Sequence, residues 1–421
     1  MFRVVLVFSF LCCLIPNAHA AGTPLEKLVY APAWESAAEQ FFHDNAQLEF
    51  SWNSSLKESA RVARPGLLWE AEVPEVIVRF DNGKPVEITF SIFNKADPSN
   101  LQFGDRKMFD AYIAKIRAAI SSELKTPGQR RQIGRSTNVA QNNGWMWGTP
   151  ATSYLLEWND APTGGFTRSG YRVEFIRLVI ASATAKAAAP AARWKGAAHL
   201  KTDAVTGDKY IFDIPMVDQG QKGYCADAAS ERVLRYYGKN IDQHEIAKIA
   251  GSSATLGTGD NEFLQALNTI ATRLHLRLRV LFNADARFLN GLRTEYNKNA
   301  RKHKKPLFPD TQSSQWPLQI DGEVIKETRA RDNVTKNQFE RHIRTCIDQG
   351  KPLFWSVQLG WIPEPKLLLQ TQGGHMRLII GYNAKTKQIL YSDTWGAGHE
   401  LKRLPLDDAW AITTALMVLE L

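Results

Sequence analysis

The stretch that decides the fold, residues 219–238, reads QGQKGYCADAASERVLRYYG and predicts a loop that delivers a cysteine to the start of a helix. After Cys225, apolar residues recur on one helical face: Ala228, Ala229, Val233 and Tyr236. The unpaired N–H groups and the positive dipole end of a helix favour an anion at this place. The pattern therefore predicts a cysteine that ionises readily and acts as a nucleophile.

The chain of 421 residues is long enough for two domains, and its 44% hydrophobic and 23% charged content is typical of globular proteins. An abrupt change to alanine-rich sequence at 182–198 indicates a linker. We therefore predict an N-terminal α+β domain at 21–181, the linker, and a second domain at 199–421. Since such a linker is easily cut, one hypothesis makes the first domain an inhibitory pro-region.

The first residues, 1–20, have the pattern of a secretory signal peptide. Arg3 precedes the apolar run 4–15, and Ala18-His19-Ala20 supplies small residues at the cleavage position. We expect cleavage near Ala20 and a secreted or periplasmic protein. After cleavage no stretch is apolar for long enough to span a membrane, so we expect no transmembrane segment in the mature chain.

Cleavage leaves two cysteines, Cys225 and Cys346, in an oxidising compartment. A disulfide between them is one alternative. The other is a free, buried Cys346, which falls on the apolar stripe of a predicted helix that also contains Phe339, Ile343 and Ile347.

The N-terminal domain is predicted to combine a sheet with helices. The turn Asp81-Asn82-Gly83 joins two strands, 76–80 and 86–93, in a hairpin. A first helix is predicted to open at Pro32. A second begins after its cap Asp105 and carries an apolar face of Met108, Tyr112, Ile116 and Ile120. The tryptophans within 142–148 are either a stacking surface or, as we favour, part of the domain's own core.

The second domain has helices first and strands last, which again predicts an α+β fold. Helices are predicted at 239–251 and 261–274, and strands at 276–282, 353–359, 376–381 and 389–392. Between them, 293–331 shows no clear period and is interpreted as an insertion. Its basic run, 293–305, is interpreted as a solvated helix end or loop rather than a phosphate-binding patch.

Cleavage of an amide by a thiol needs a base, a group that orients the base, and donors for the oxyanion. His375 follows two glycines at the start of a strand, and Asp393 ends the next strand of the same hairpin. The imidazole titrates in the range that proton transfer requires, and a carboxylate beside it would orient it. Gln219 lies six positions before Cys225 and could join the Cys225 N–H in an oxyanion hole. The other histidines show no paired acid, and His399, near Asp393, is the best rival.

Together these segments resemble the papain-like cysteine peptidases, in which an Asn-Ser-Trp-Gly segment supplies the third catalytic residue; here the segment reads Asp393-Thr394-Trp395-Gly396. Further details resemble the double-glycine (bacteriocin) leader peptidases: Cys225-x2-Ala228, Tyr236-Tyr237-Gly238, Ile241-Asp242 before a helix, and Gly350-Lys351-Pro352 before a strand. The resemblance covers about 205–410. It implies a papain-like domain, a triad of Cys225, His375 and Asp393, an oxyanion role for Gln219, and shielding of the triad by Trp395. Tyr224 departs from the aspartate usual in leader peptidases.

These observations predict an exported cysteine peptidase that hydrolyses peptide or related amide bonds of a protein or peptide substrate. No cofactor and no metal are expected, and no nucleic-acid module is recognised. The net charge of +9 suggests an anionic component of the cell envelope as a further partner. Two alternatives remain: a catalytically silent papain-fold binding protein of the cell envelope, and an acyl-transfer enzyme with the same triad.

Overall fold

The computed structural model describes residues 23–62, 66–69, 71–97, 101, 103–134, 141–163, 170–184, 194–220, 222–239, 241–252, 260–308, 320–364 and 370–421. The predicted signal peptide at 1–20, with Cys12 and Cys13, lies outside these residues, as does most of the predicted linker at 182–198. We refer to 23–184 as the N-terminal region and to 194–421 as the C-terminal region.

The N-terminal region is built around one antiparallel sheet with helices beside it. Its elements are α1 (Pro24–Tyr30), α2 (Ala38–Asp44), β1 (Phe50–Trp52), β2 (Ser59–Val62), β3 (Leu67–Leu68), β4 (Ala71–Glu72), β5 (Glu75–Asp81), β6 (Lys84–Asn94), α3 (Arg106–Leu124), β7 (Gln129–Gly134), β8 (Gln141–Gly148), β9 (Thr152–Thr163) and β10 (Gly170–Ser182). In the described residues the sheet order is β1-β2-β5-β6-β10-β9-β8-β7, and β3 pairs with β4.

Several local predictions for this region are confirmed. The β5–β6 hairpin turns at Asn82 and Gly83, which both have positive φ. Asp105 caps α3 by accepting a hydrogen bond from the Met108 N–H at 2.8 Å. Trp147 lies on β8 and is buried in the region's core.

Two predictions are wrong in detail. No helix opens at Pro32, because Ala33 has a left-handed φ of 52° and the Gly83 carbonyl accepts the Ala38 N–H, where α2 begins. Met108 is exposed and does not join the buried face of α3, which combines the predicted Ile116 and Ile120 with Phe109 and Ile113.

The C-terminal region combines helices with an antiparallel sheet, and the predicted α+β class is confirmed. Its elements are β11 (Leu200–Thr202), β12 (Asp208–Ile211), α4 (Cys225–Tyr236), α5 (Gln243–Ala250), α6 (Asp260–Arg273), β13 (Arg277–Asn283), α7 (Ala286–His303), α8 (Gly322–Ala330), α9 (Asn333–Asp348), β14 (Leu353–Leu359), β15 (Gly373–Asn383), β16 (Gln388–Ser392), β17 (Lys402–Pro405), α10 (Leu406–Ile412) and β18 (Thr413–Glu420).

The sheet of the C-terminal region brings distant parts of the chain together. Among the described residues its order is β11-β12-β15-β14-β18-β13, with β16 paired to β15 and β17 to β16. The central strand β14 is buried along its whole length. Helix α9 packs against this sheet with Phe339, Ile343, Cys346 and Ile347 buried, as predicted.

The interpretation of 293–331 as an insertion without regular structure is wrong. Its described residues include most of α7 and all of α8, which contact each other. Helix α7 buries Leu289, Leu292, Tyr296 and Ala300 at helical spacing. The basic run 293–305 forms the C-terminal part of α7, where positive charge interacts favourably with the helix dipole, so the interpretation as a helix end is confirmed.

Within the described residues, none of the helices combines the length and the apolar content that crossing a membrane requires.

Candidate active site

Cys225 is the first residue of α4, as the sequence predicts. The residue before it, Tyr224, is the N-cap and makes no side-chain capping bond to the helix. The first N–H groups of α4 are therefore left without the usual capping side chain, and Cys225 itself is only partly buried. A thiol in this position is accessible and lies at the positive end of the helix dipole.

His375 lies on β15, opposite Val357 of β14, and Asp393 directly follows β16. Strands β15 and β16 form the predicted hairpin, with Leu378 opposite Ser392. The His375 Nε2–H donates to the Asp393 Oδ1 at 2.6 Å, and neither side chain is exposed to solvent. The hairpin thus brings together two residues that the sequence separates by 18 positions.

The other ring nitrogen of His375, Nδ1, is buried and makes no hydrogen bond of good geometry to the described residues. The Cys225 thiol interacts with the same imidazole. Burial lowers the pKa of His375, but the charge and hydrogen bond of Asp393 outweigh it, and with the Cys225 contribution they raise the pKa to about 9. An imidazole held in this way is protonated at neutral pH and can stabilise a thiolate.

Asp393 is surrounded by cations. Arg377 Nε lies 3.3 Å from its Oδ1, and Lys402 Nζ lies 3.3 Å from its Oδ2. Burial alone would raise the pKa of Asp393, but Arg377 and His375 hold it well below its usual range. The carboxylate is therefore charged at neutral pH. Sequence reasoning missed both cations, although Arg377 shares a strand face with His375 two residues earlier.

Trp395 covers the His375–Asp393 pair. Its indole stacks on the imidazole, is 5% exposed, and has Lys402 Nζ 5.6 Å from its ring centroid. This cover limits the access of water, which would otherwise compete for the hydrogen bond between His375 and Asp393.

Gln219 is tied to the segment that follows Asp393. Its N–H donates to the Thr394 carbonyl at 2.8 Å, and the Thr394 hydroxyl donates to its Oε1 at 2.5 Å. Its Nε2 donates to the Lys222 carbonyl at 2.8 Å. The amide is thus fixed in orientation, with its nitrogen directed into the loop that leads to Cys225.

Arg232 connects the helix of Cys225 to the strand end of Asp393. Its guanidinium donates to the carbonyl of Pro215 at 2.8 Å, to the carbonyl of Asp393 at 2.7 Å and to the hydroxyl of Ser392 at 2.6 Å. Sequence reasoning did not identify this residue, because an arginine inside a helix is usually exposed.

The remaining histidines partly contradict the sequence analysis. His199 pairs with Asp213, His303 Nε2 lies 2.6 Å from Glu327 Oε2, and His43 Nδ1 lies 3.3 Å from Asp44 Oδ1, so three of them do have acidic partners. The predicted rival, His399, accepts a hydrogen bond from Lys402 at Nδ1 and approaches the Trp395 ring edge-on. His399 thus lies beside Asp393, and its carbonyl accepts the Asp393 N–H at 2.9 Å.

Cys225 and Cys346 are both free, so the disulfide considered above is not formed. Within the described ranges no cluster of three or more His, Cys, Asp or Glu side chains could hold a metal ion.

Comparison with known proteins relates the C-terminal region to one protein family. Residues 211–416 match the Peptidase_C39-like family, which confirms the resemblance inferred from the sequence. The peptidase domain of Streptococcus ComA, a bi-functional ABC transporter involved in a quorum sensing pathway, is 12% identical with a TM-score of 0.25 over 49% of this chain and 98% of that one. Xylellain, a cysteine protease from Xylella fastidiosa, is 14% identical with a TM-score of 0.25 over 49% of this chain and 82% of that one. No curated protein matches the chain.

Proposed function

Because residues 211–416 match a family of cysteine peptidases, we propose that this protein hydrolyses peptide or related amide bonds with Cys225 as nucleophile, His375 as acid and base, and Asp393 as the residue that orients His375. One observation carries the proposal. The imidazole is held by Asp393 at Nε2, while its buried Nδ1 is left for the thiol. We propose 199–421 as the catalytic domain, 182–198 as the linker and 21–181 as the N-terminal domain.

In the acylation step, the proton of the Cys225 thiol resides on His375 Nδ1, and the thiolate attacks the carbonyl carbon of the substrate. A bond forms between sulfur and carbon, and the carbonyl oxygen takes the negative charge. When the intermediate collapses, the carbon–nitrogen bond breaks and Nδ1 gives its proton to the leaving amine. The product of this step is a thioester on Cys225.

Two donors are available for the oxyanion. One is the N–H of Cys225 at the start of α4. The other is the Gln219 amide, whose nitrogen carries two hydrogens and gives one of them to the Lys222 carbonyl. Loss of one such donor typically slows an enzyme about 10²–10³-fold.

In the deacylation step, His375 Nδ1 takes a proton from water, and the resulting hydroxide attacks the thioester carbon. The carbon–sulfur bond breaks, the carboxylic acid product leaves, and Cys225 returns to the thiolate beside the imidazolium. Asp393 stays ionised throughout and holds the ring by its Nε2–H, while Trp395 keeps water away from that bond.

We also propose that the chain is exported after cleavage near Ala20 and acts on proteins or peptides outside the cytoplasm, with an anionic envelope component as a further partner. The apolar run and the small residues before Ala20 support export. N-terminal sequencing of the protein recovered from the periplasm and the medium tests this proposal. A mature chain starting at Ala21 is expected, and an intact Met1 in the cytoplasm would contradict it.

The activity is tested with fluorescein-labelled casein as substrate and biotin-iodoacetamide as thiol probe. We expect the wild-type protein to release fluorescent peptides and to be labelled, and the Cys225→Ala variant to do neither while unfolding at the same temperature. Cys346→Ala is the matched control and should retain both properties. Labelling of Cys225 without hydrolysis of any peptide in a random library would instead favour the silent binding protein.

A further inference from the structure

The loop that carries Gln219 and leads to Cys225 is held from outside the C-terminal region. We propose that Lys222, anchored by Glu75 and Asp97 of the N-terminal region, is a positioning residue for the oxyanion site. The N-terminal region is then a working part of the active site and not an inhibitory pro-region. This inference rests on the proposed function.

The Lys222 ammonium is buried between two carboxylates of the N-terminal region. Nζ lies 3.0 Å from Glu75 Oε2 and 3.1 Å from Asp97 Oδ1, and the side chain is only 2% exposed. Burying an ammonium group is costly unless it is paired, so this side chain has one favourable position, between the two carboxylates. The lysine thus fixes the loop to β5 and to the segment that follows β6.

The main-chain carbonyl of Lys222 connects this anchor to the oxyanion site. The carbonyl of Lys222 accepts the hydrogen bond from Gln219 Nε2 at 2.8 Å. The side chain and the carbonyl of Lys222 belong to one residue, so the pairing with Glu75 and Asp97 also sets where that carbonyl lies. Together with the Thr394 hydroxyl, which donates to Gln219 Oε1 at 2.5 Å, this carbonyl sets the direction of the Gln219 amide.

The residue on the other side of Gln219 is held in the same way. Arg61 of β2 lies 3.2 Å from the Asp218 carboxylate and donates to the Asp218 carbonyl at 3.2 Å. It also pairs with Glu75 at 2.5 Å. Glu75 therefore binds both cations, and one buried carboxylate links the two ends of the segment that contains Gln219.

A third contact lies next to the nucleophile. The Tyr224 hydroxyl donates to Asn94 Oδ1 at the end of β6, at 3.0 Å. All these contacts involve residues that flank Gln219 and Cys225, and Cys225 itself stays partly exposed. A segment that inhibits a peptidase is expected to cover the nucleophile, whereas these contacts support the backbone around it.

The test compares the buried Lys222 with the partly buried Lys95 in the full-length protein. Lys222→Met removes the proposed anchor. Lys95→Met is the matched control, because Lys95 also pairs with a buried carboxylate, Glu174 at 2.6 Å, and reaches α5 at the Ala247 carbonyl, but does not touch the loop. Three quantities are measured: casein hydrolysis, alkylation of Cys225 by iodoacetamide, and hydrogen exchange of the peptide 218–224. Alkylation needs the thiolate but forms no oxyanion, so it separates the two parts of the site.

We expect Lys222→Met to lower kcat/KM about 10- to 100-fold, because a small displacement of a catalytic group has effects of this size. Alkylation of Cys225 should stay within about twofold of wild type, since the His375–Asp393 pair is untouched. In the background of Gln219→Ala, the same substitution should have little further effect, because both act through one amide. Lys95→Met should leave hydrolysis near the wild-type rate.

The inference is overturned if Lys222→Met and Lys95→Met hydrolyse casein equally, or if hydrolysis and alkylation fall together. Hydrogen exchange makes the test independent of turnover. The peptide 218–224 should exchange faster in Lys222→Met than in Lys95→Met. Equal exchange in the two variants overturns the positioning role even if the protein has no activity. If Lys222→Met does not fold, Asp97→Asn should show the same pattern with a smaller loss. Failure of the proposed function is recognised separately, by a Cys225→Ala variant that is as active as wild type.

Discussion

The indole of Trp395 lies parallel to the imidazole of His375, with ring centroids 4.4 Å apart and an angle of 15° between the planes. The stack covers one face of a ring whose Nε2 binds Asp393. Trp395 therefore acts on the proposed triad through water exclusion and orientation, without touching the reacting atoms.

Replacing Trp395 by alanine should expose the His375–Asp393 hydrogen bond to water and lower kcat/KM. It should also lower the free energy of unfolding by about 3–5 kcal/mol, the usual cost of truncating a buried tryptophan. Trp395→Phe is the matched control, because it keeps a stacked ring and should retain most activity. Equal rates for the two variants would contradict the shielding role.

The stability of the protein should depend on the ionisation of His375. Burial lowers its pKa, but Asp393 outweighs this and holds it at about 9 in the folded state, against 6.5 for an ordinary histidine. The folded state thus binds the proton more tightly, and the stabilisation is fully present below pH 6.5 and lost as the pH rises through about 9. Urea unfolding of wild type should show a fall on the order of 3 kcal/mol across this range. His375→Gln should lack that fall, and parallel curves for the two proteins would contradict it.

Asp393→Asn should affect activity and stability together. Without the carboxylate charge, burial dominates and lowers the pKa of His375, so the thiolate loses its cationic partner and alkylation of Cys225 at pH 7 should slow. Arg377 and Lys402 would also lose a buried anion, which typically costs about 3–5 kcal/mol. Asp213→Asn, at the separate His199–Asp213 pair, serves as control and should keep normal alkylation. Unchanged alkylation in Asp393→Asn would refute the proposed ion pair.

The two cysteines should differ sharply in reactivity. Burial raises the pKa of Cys346 to about 11, while Cys225 is partly exposed. At pH 7.5 on the order of 0.1% or less of Cys346 is then thiolate, the form that reacts. Mass spectrometry after brief iodoacetamide treatment should find the modification on Cys225 alone. Equal modification of both thiols in the folded protein would show that the assignment is wrong.

The sequence was most informative where structure depends on neighbours in the chain. The period of α9 predicted its buried face down to Cys346, because that face repeats within a few turns. The His375–Asp393 pair was also accessible, since a short turn joins the two strands that carry these residues and antiparallel pairing brings them together. The triad roles themselves stay predictions until activity is measured.

The sequence was least informative where contacts cross between distant segments. Lys222 and Glu75 are 147 positions apart, and no local pattern relates a lysine in a glycine-containing loop to a glutamate on a strand. In α7 the apolar spacing is present, but the many charged residues between its members obscure both this spacing and the packing of α7 against α8. Charge in a sequence suggests solvent exposure, and at these positions it accompanies burial or helix packing instead.

The hydrogen bonds of Arg232 limit how far two parts of the proposed active site can move apart. Arg232 belongs to the helix of Cys225 and donates to the Asp393 carbonyl and to the Ser392 hydroxyl, so its guanidinium connects that helix to the strand end of Asp393. Moving the two apart would separate the guanidinium from its acceptors, and because Arg232 is only 1% exposed, water could not replace them. We therefore expect the distance between the Cys225 sulfur and the His375 imidazole to stay constant through each turnover. The shape of the substrate peptide, and not a hinge motion of the enzyme, then selects which bonds are cut.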